Sequence, residues 1–222
     1  MSTAVSNQPS HFDPLPKGAS NENPRDIGLL ELIAEDFRTH NRNLGEAGFW
    51  AVALHRLGNA RMDVRPRWLR APLSATYHAA FVVTDWVLGI ELPYTVRLGR
   101  RVRIWHHGGI VISARAIGND VHIRHNTTLG VVRRNELGAV PIIGDGVDIG
   151  VGACILGPVT VGEGAAIGAS SVVLHDVPPG ATAVGAPARL VIKGKLSRTS
   201  SGTRFRPISI AGGTRQLSGN ES

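Results

Sequence analysis

Aliphatic residues return at every sixth position through about a third of this chain, and that period leaves few ways to fold. They stand at Leu98, Ile104 and Ile110, then at Ile117, Ile123 and Leu129. After a break they resume at Ile143, Ile149, Ile155, Val161, Ile167 and Val173. Glycine follows many of them, at positions 99, 118, 130, 144, 150, 162 and 168. Period six is neither the 3.6 of a helix nor the plain alternation of a long strand. It suits short strands turning corners, with one aliphatic side chain pointing inward from each flat face. Three faces close a coil of about eighteen residues, and successive coils stack as parallel strands roughly 4.8 Å apart. Such a solenoid buries one continuous aliphatic column, and each coil depends on its neighbours. The step from Ile110 to Ile117 is seven, which reads as a one-residue insertion. Between Leu129 and Ile143, the segment VVRRNELGAVP reads as a loop leaving the coil.

The rest of the chain sorts around this coil. Residues 1–24 read as a disordered leader with no apolar signal region, 25–90 as a helical domain, 91–193 as the coil, and 194–222 as a disordered basic tail. The tail sets five cations against Glu221 alone and reads as a solvated segment. Helical stripes are expected at Leu29, Leu30, Ile33 and Phe37, and at Trp50, Leu54 and Leu57, as packing faces. Pro66 and Pro72 punctuate the approach to a third helix that ends near Gly89. Residues 75–92 form the most apolar run, short of a comfortable membrane span and interrupted by His78 and Asp85, and read as a buried or packing helix. The single cysteine, Cys154, excludes an internal disulfide framework, fits a reducing cytoplasm and reads as a small core filler. No aromatic interleaving or motif supports nucleic-acid binding, despite a net charge of +7.

The coil, together with IGASSVVLHDVPPGATAVGAPARLV, resembles the hexapeptide-repeat acyltransferases. Within them, EDFRTH, GFWAVALHRLG and GIELPYTVRLGRRVRIWHHGGIVI resemble serine acetyltransferase and its polysaccharide-modifying relatives. The likeness covers residues 27–193. It implies a mainly β fold, a left-handed parallel β-helix after an α-helical region. It also implies an acetyl-CoA-dependent O-acetyltransferase that needs no metal and assembles as a homotrimer or a dimer of trimers.

Acetyl transfer from a thioester needs a base for the hydroxyl proton, and histidine is the natural one near neutral pH. His106 lies two positions after Ile104 and His125 two after Ile123, so the two occupy equivalent sites on adjacent coils. The resemblance places the catalytic base ahead of a His-x-x-Gly turn, here His106-His107-Gly108-Gly109, and an orienting acid fifteen residues earlier, at Glu91. His125 is a substrate-site candidate. The resemblance also implies a groove between coils for the pantetheine arm, with Gly150, Val151 and Ala169 beside it and Arg189 and Lys193 placed for the nucleotide phosphates.

The acceptor is where the likeness breaks. Serine acetyltransferases carry an Asp immediately before the histidine and an Arg-His pair before the proline that ends the loop. Here those positions hold Trp105 and Ala139-Val140, and only Asp36 matches the remaining helix-domain acid. Trp105 offers an indole face for a sugar ring, and Arg133 and Arg134 could meet an acidic glycan. The first expectation is therefore a sugar hydroxyl of a surface-polysaccharide precursor. The alternatives are serine O-acetylation, or a metal-binding or structural β-helix. Zinc needs three converging ligands, and stacking brings only His106 and His125 together.

Overall fold

The computed structural model describes residues 18–133 and 138–191. Three α-helices, Leu29–Thr39 (α1), Ala47–Ala60 (α2) and Arg67–Val83 (α3), precede a β-solenoid. Its three sheets hold five, four and six strands. Sheet A stacks Ile90–Glu91, Ile110–Ile112, Thr128–Gly130, Cys154–Leu156 and Val172–Val173. Sheet B stacks Arg97–Leu98, Ala116–Ile117, Ile142–Ile143 and Thr160–Val161. Sheet C stacks Arg103–Trp105, His122–Arg124, Asp148–Ile149, Ala166–Ile167 and Thr182–Val184 in parallel, and Arg189–Val191 closes it antiparallel. The coil is the parallel solenoid that period six demands, and its inward column of Leu98, Ile104, Ile117, Ile123, Leu129, Ile149, Ile155 and Val161 is fully buried. Ala47, Ala51 and Val52 of α2 join that column, so helices and coil share one core.

Register corrects the position of the first irregularity. Ile112, not Ile110, lies opposite Leu129. Eight residues therefore separate the sheet C anchor Ile104 from its sheet A successor, where the next coil needs six, from Ile123 to Leu129. The extra chain sits in the corner His106–Gly109, not after Ile110. There His106, Gly108 and Gly109 all take positive φ.

The helices form where expected, but they turn different faces inward. Leu30 is 83% exposed, and Trp50 and Leu57 are about half exposed. Buried instead are Asp36 and His40, with His55, Arg56 and Asn59 of α2. The reason is the surface they meet: the first coil presents peptide carbonyls, which buried donors must satisfy. His55 Nε2 donates to Val96 O at 2.8 Å, Asn59 Nδ2 to Tyr94 O at 2.8 Å, and Arg56 Nη1 to Leu98 O at 2.8 Å. Pro72 lies inside α3 rather than before it. The apolar run at 75–92 is helical through Leu88, yet Tyr77 is the only buried residue of α3, and Val83, Trp86 and Val87 are exposed. Cys154 is half-buried on the outward side of sheet A, with Ile155 taking the core position. No described helix is long and apolar enough to cross a membrane.

Two buried histidines make stability depend on pH. Burial pushes His55 down to about 3, and burial also lowers His40. Both stay uncharged in the fold, whereas the unfolded chain takes up protons near pH 6.5. Stability therefore falls as pH drops from about 6.5 toward 3. His55 alone removes about 2 kcal/mol by pH 5. Urea unfolding at pH 7 and pH 5 measures this; a His55→Gln variant should lose most of that slope, and an equal slope in both proteins would refute the assignment.

Candidate functional site

The corners that join sheet C to sheet A run along one edge of the solenoid, and the candidate residues gather there. Pairing of Ile104 with Ile123 and of Trp105 with Arg124 brings His106 beside His125. Pairing of Ile123 with Ile149, and of Ile149 with Ile167, continues the column through Val151 and Ala169. At roughly 4.8 Å per coil, His106 and Ala169 stand about 14 Å apart along this edge. Positions chosen for a base, a substrate contact and a pantetheine groove thus form one line.

Strict alternation would turn His106 inward with Ile104. The left-handed backbone at His106, φ 65°, turns the corner instead and leaves the imidazole exposed. Non-glycine residues adopt that conformation infrequently, histidine less rarely than most, and this solenoid repeats it at Arg101, Asp120, Asn126 and Ser170. The two rings meet edge to face, with centroids 5.5 Å apart and planes at 84°, rather than stacking flat. His125 is half-buried. His107 is exposed, and His122 packs edge-on against Trp105, with centroids at 5.7 Å.

Three expectations do not fit the geometry. Glu91 is exposed beside Val111 in sheet A, and no hydrogen bond among the described residues joins it to His106. Asp36 is fully buried and paired with Arg56, Nε to Oδ2 at 3.0 Å, so it cannot face an acceptor. Trp105 does not present a free ring: the Arg103 guanidinium lies 3.6 Å from its centroid, over one face. Arg133 is exposed at the root of the loop. Arg134 and Lys193 lie outside the described residues.

A small cavity of about 270 Å³ opens onto His106 between the α1–α2 connection and the Arg103–Trp105 strand. Its lining adds Asn41, Glu46 and Arg103 to Trp105, His106 and His107. Nothing in the residue spacing pointed to Glu46 and Arg103, which are 57 positions apart and meet only through the fold. What holds the two parts in place is close packing: a Cβ on Gly48 would stand 2.4 Å from Ile104 O. His40 adds a fixed bond, its Nδ1 donating to Asp36 O at 2.8 Å while Nε2 accepts from Ile104 N at 3.3 Å.

The upper part of the edge carries the positions expected beside the pantetheine arm. Gly150, Val151 and Ala169 are small or only half-buried. The coils meet too closely there for a side chain at 150, where a Cβ would lie 2.6 Å from Ala169 N. Among the described backbone bonds, none engages the N–H of Val151 or Ala169, which leaves both free to meet amide oxygens. Arg189 is exposed opposite Val184, where sheet C ends at this edge. Among the described residues, no three His, Cys, Asp or Glu side chains converge as metal ligands.

A β-solenoid with an imidazole pair at one end of an edge groove has the architecture of a hexapeptide acyltransferase. No family model matches the chain. A serine acetyltransferase of Bacillus licheniformis is 37% identical over 173 residues, covering 77% of each chain. The structure of soybean serine acetyltransferase complexed with serine is similar, with a TM-score of 0.63 and 38% identity over 73% of this chain and 69% of that one. The Brucella abortus enzyme in complex with coenzyme A matches with a TM-score of 0.61 and 26% identity, over 80% of both chains. The chain belongs to the serine acetyltransferase family, and it is an acyltransferase that uses acetyl-CoA.

Proposed function

We propose that this enzyme acetylates the hydroxyl of L-serine, with His106 as general base. The observation that carries this reading is the small cavity at His106 with its charged lining. At about 270 Å³ it falls just below the range of about 300–1,000 Å³ that encloses drug-sized ligands. A space of that size takes one small acceptor, and its lining sets Glu46 beside Arg103, opposite charges that suit a zwitterionic amino acid better than an uncharged sugar. The names of the relatives point the same way, and the indole face that favoured a sugar is covered by Arg103. In this arrangement His106 takes the hydroxyl proton as the oxygen attacks, with the His125 ring edge-on to it at 5.5 Å. The edge at Gly150, Val151 and Ala169 takes the pantetheine arm, and Arg189 lies toward the nucleotide phosphates. Acetyl-CoA supplies the acetyl group: the C–S bond of its thioester breaks, and the CoA thiol leaves with the proton that His106 took.

The same edge is open in a single chain, which agrees with the trimer that the family resemblance implies. Beside it, sheet A presents the uncharged outward column Val111, Thr128, Cys154 and Val172, a flat face suited to association. Purified protein with acetyl-CoA and a thiol-release assay tests the acceptor. L-serine should be turned over with saturation, and monosaccharides and nucleotide sugars should remain at background. Turnover confined to sugar acceptors would overturn the serine reading.

A further inference from the structure

We infer that Glu46 and Arg103 hold the ammonium and the carboxylate of the amino-acid acceptor, in place of the charged groups that this chain lacks at Trp105 and Ala139-Val140; the inference rests on the serine reading. Both side chains line the cavity that reaches His106, one from the start of α2 and one from the sheet C strand. They face each other: Arg103 Nη2 lies 3.3 Å from Glu46 Oε1 and 3.4 Å from Oε2. Those contacts are long for a charge-assisted pair, which ordinarily closes to about 2.7–2.9 Å. Asn41 ties both members, its Oδ1 accepting from Arg103 Nη1 at 3.2 Å and its Nδ2 donating to Glu46 Oε1 at 2.9 Å.

A zwitterion entering this pair exchanges partners without leaving a charge alone. Its ammonium meets the Glu46 carboxylate, and its carboxylate meets the Arg103 fork. No net charge enters the cavity, so the cost of desolvation is shared among four groups that all remain paired. Trp105 then has a role of its own. Its ring lies under the Arg103 guanidinium at 3.6 Å and fixes the direction of the fork. A residue that would break an aspartate-based site here supports an arginine-based one. The hydroxymethyl group of the bound acceptor is left to face His106, which lines the same cavity.

Kinetics with three acceptors test this on the full-length enzyme: L-serine, 3-hydroxypropionate (no ammonium) and ethanolamine (no carboxylate). The parent should prefer L-serine to both. Glu46→Gln should raise KM for L-serine about tenfold, the loss of one hydrogen bond to a charged group, with kcat changed far less. It should also narrow the preference for L-serine over 3-hydroxypropionate. Arg103→Met should narrow the preference over ethanolamine instead. A purely structural ion pair would weaken all three acceptors alike, and that result overturns the inference, as does an unchanged KM. Should Arg103→Met fail to fold, the near-isosteric Glu46→Gln variant decides alone. A parent that turns over L-serine with indifferent variants sinks the clamp only, whereas a parent inactive on L-serine sinks the serine reading and the clamp together.

Discussion

His106→Ala is expected to lower kcat by about 10²–10⁴-fold, the usual contribution of a positioned general base. The imidazole is exposed at a corner, and its removal leaves the buried column untouched, so the melting curve should stay close to that of the parent. His125→Ala should cost less, because its ring touches His106 without taking the proton. Steady-state kinetics beside a thermal melt separate the two effects. An alanine variant at 106 with parental kcat and an intact fold would remove the proposed base.

The position of this histidine was legible in the sequence, and the reason lies in the coil. Each inward site of a solenoid accepts one aliphatic residue and repeats, so Ile104 and Ile123 identify equivalent places, and His106 and His125 follow. The same logic failed one step later. Ile110, Val111 and Ile112 offer two inward aliphatics, and period six chose the first. The backbone ladder sets Ile112 against Leu129 and moves the extra residues into the corner that carries His106. Periodicity sees spacing along the chain but not which peptide pairs with which, and the enlarged corner was hidden for that reason.

The helical part was harder to read for a different reason. An apolar stripe predicts a packing face only where the opposite surface is apolar. Here α2 packs on the carbonyls of Tyr94, Val96, Leu98 and Gly99, so the inward face needs His55, Arg56 and Asn59, while Trp50 and Leu57 turn outward. Asp36 was drawn into the acceptor site by its match to a family position. Its burial instead goes with a partner twenty residues on, Arg56, in a different segment of the resemblance, a pairing that spacing along the chain does not show.

That pair is where the largest loss of stability is expected. Arg56 and Asp36 are both fully buried, and the guanidinium also donates to Leu98 O and to Gly99 O, the latter at 2.6 Å. It therefore joins α1 to the first coil through α2. Burial pushes the Asp36 carboxyl up from the usual carboxylate range, and the Arg56 charge opposes that shift. Asp36→Ala leaves the guanidinium buried with carbonyl dipoles but no counter-charge, which should cost about 3–5 kcal/mol. Removing both charges, as Asp36→Ala with Arg56→Met, should recover part of that loss, because the penalty comes from the stranded cation more than from the pair itself. Urea denaturation of the two variants measures the difference. Activity in the single variant should fall only as far as the folded fraction falls, since the carbonyl that holds His40 is main-chain and survives the substitution. A loss below about 1 kcal/mol, the worth of an exposed pair, would mean that Asp36 and Arg56 meet in water rather than inside the protein.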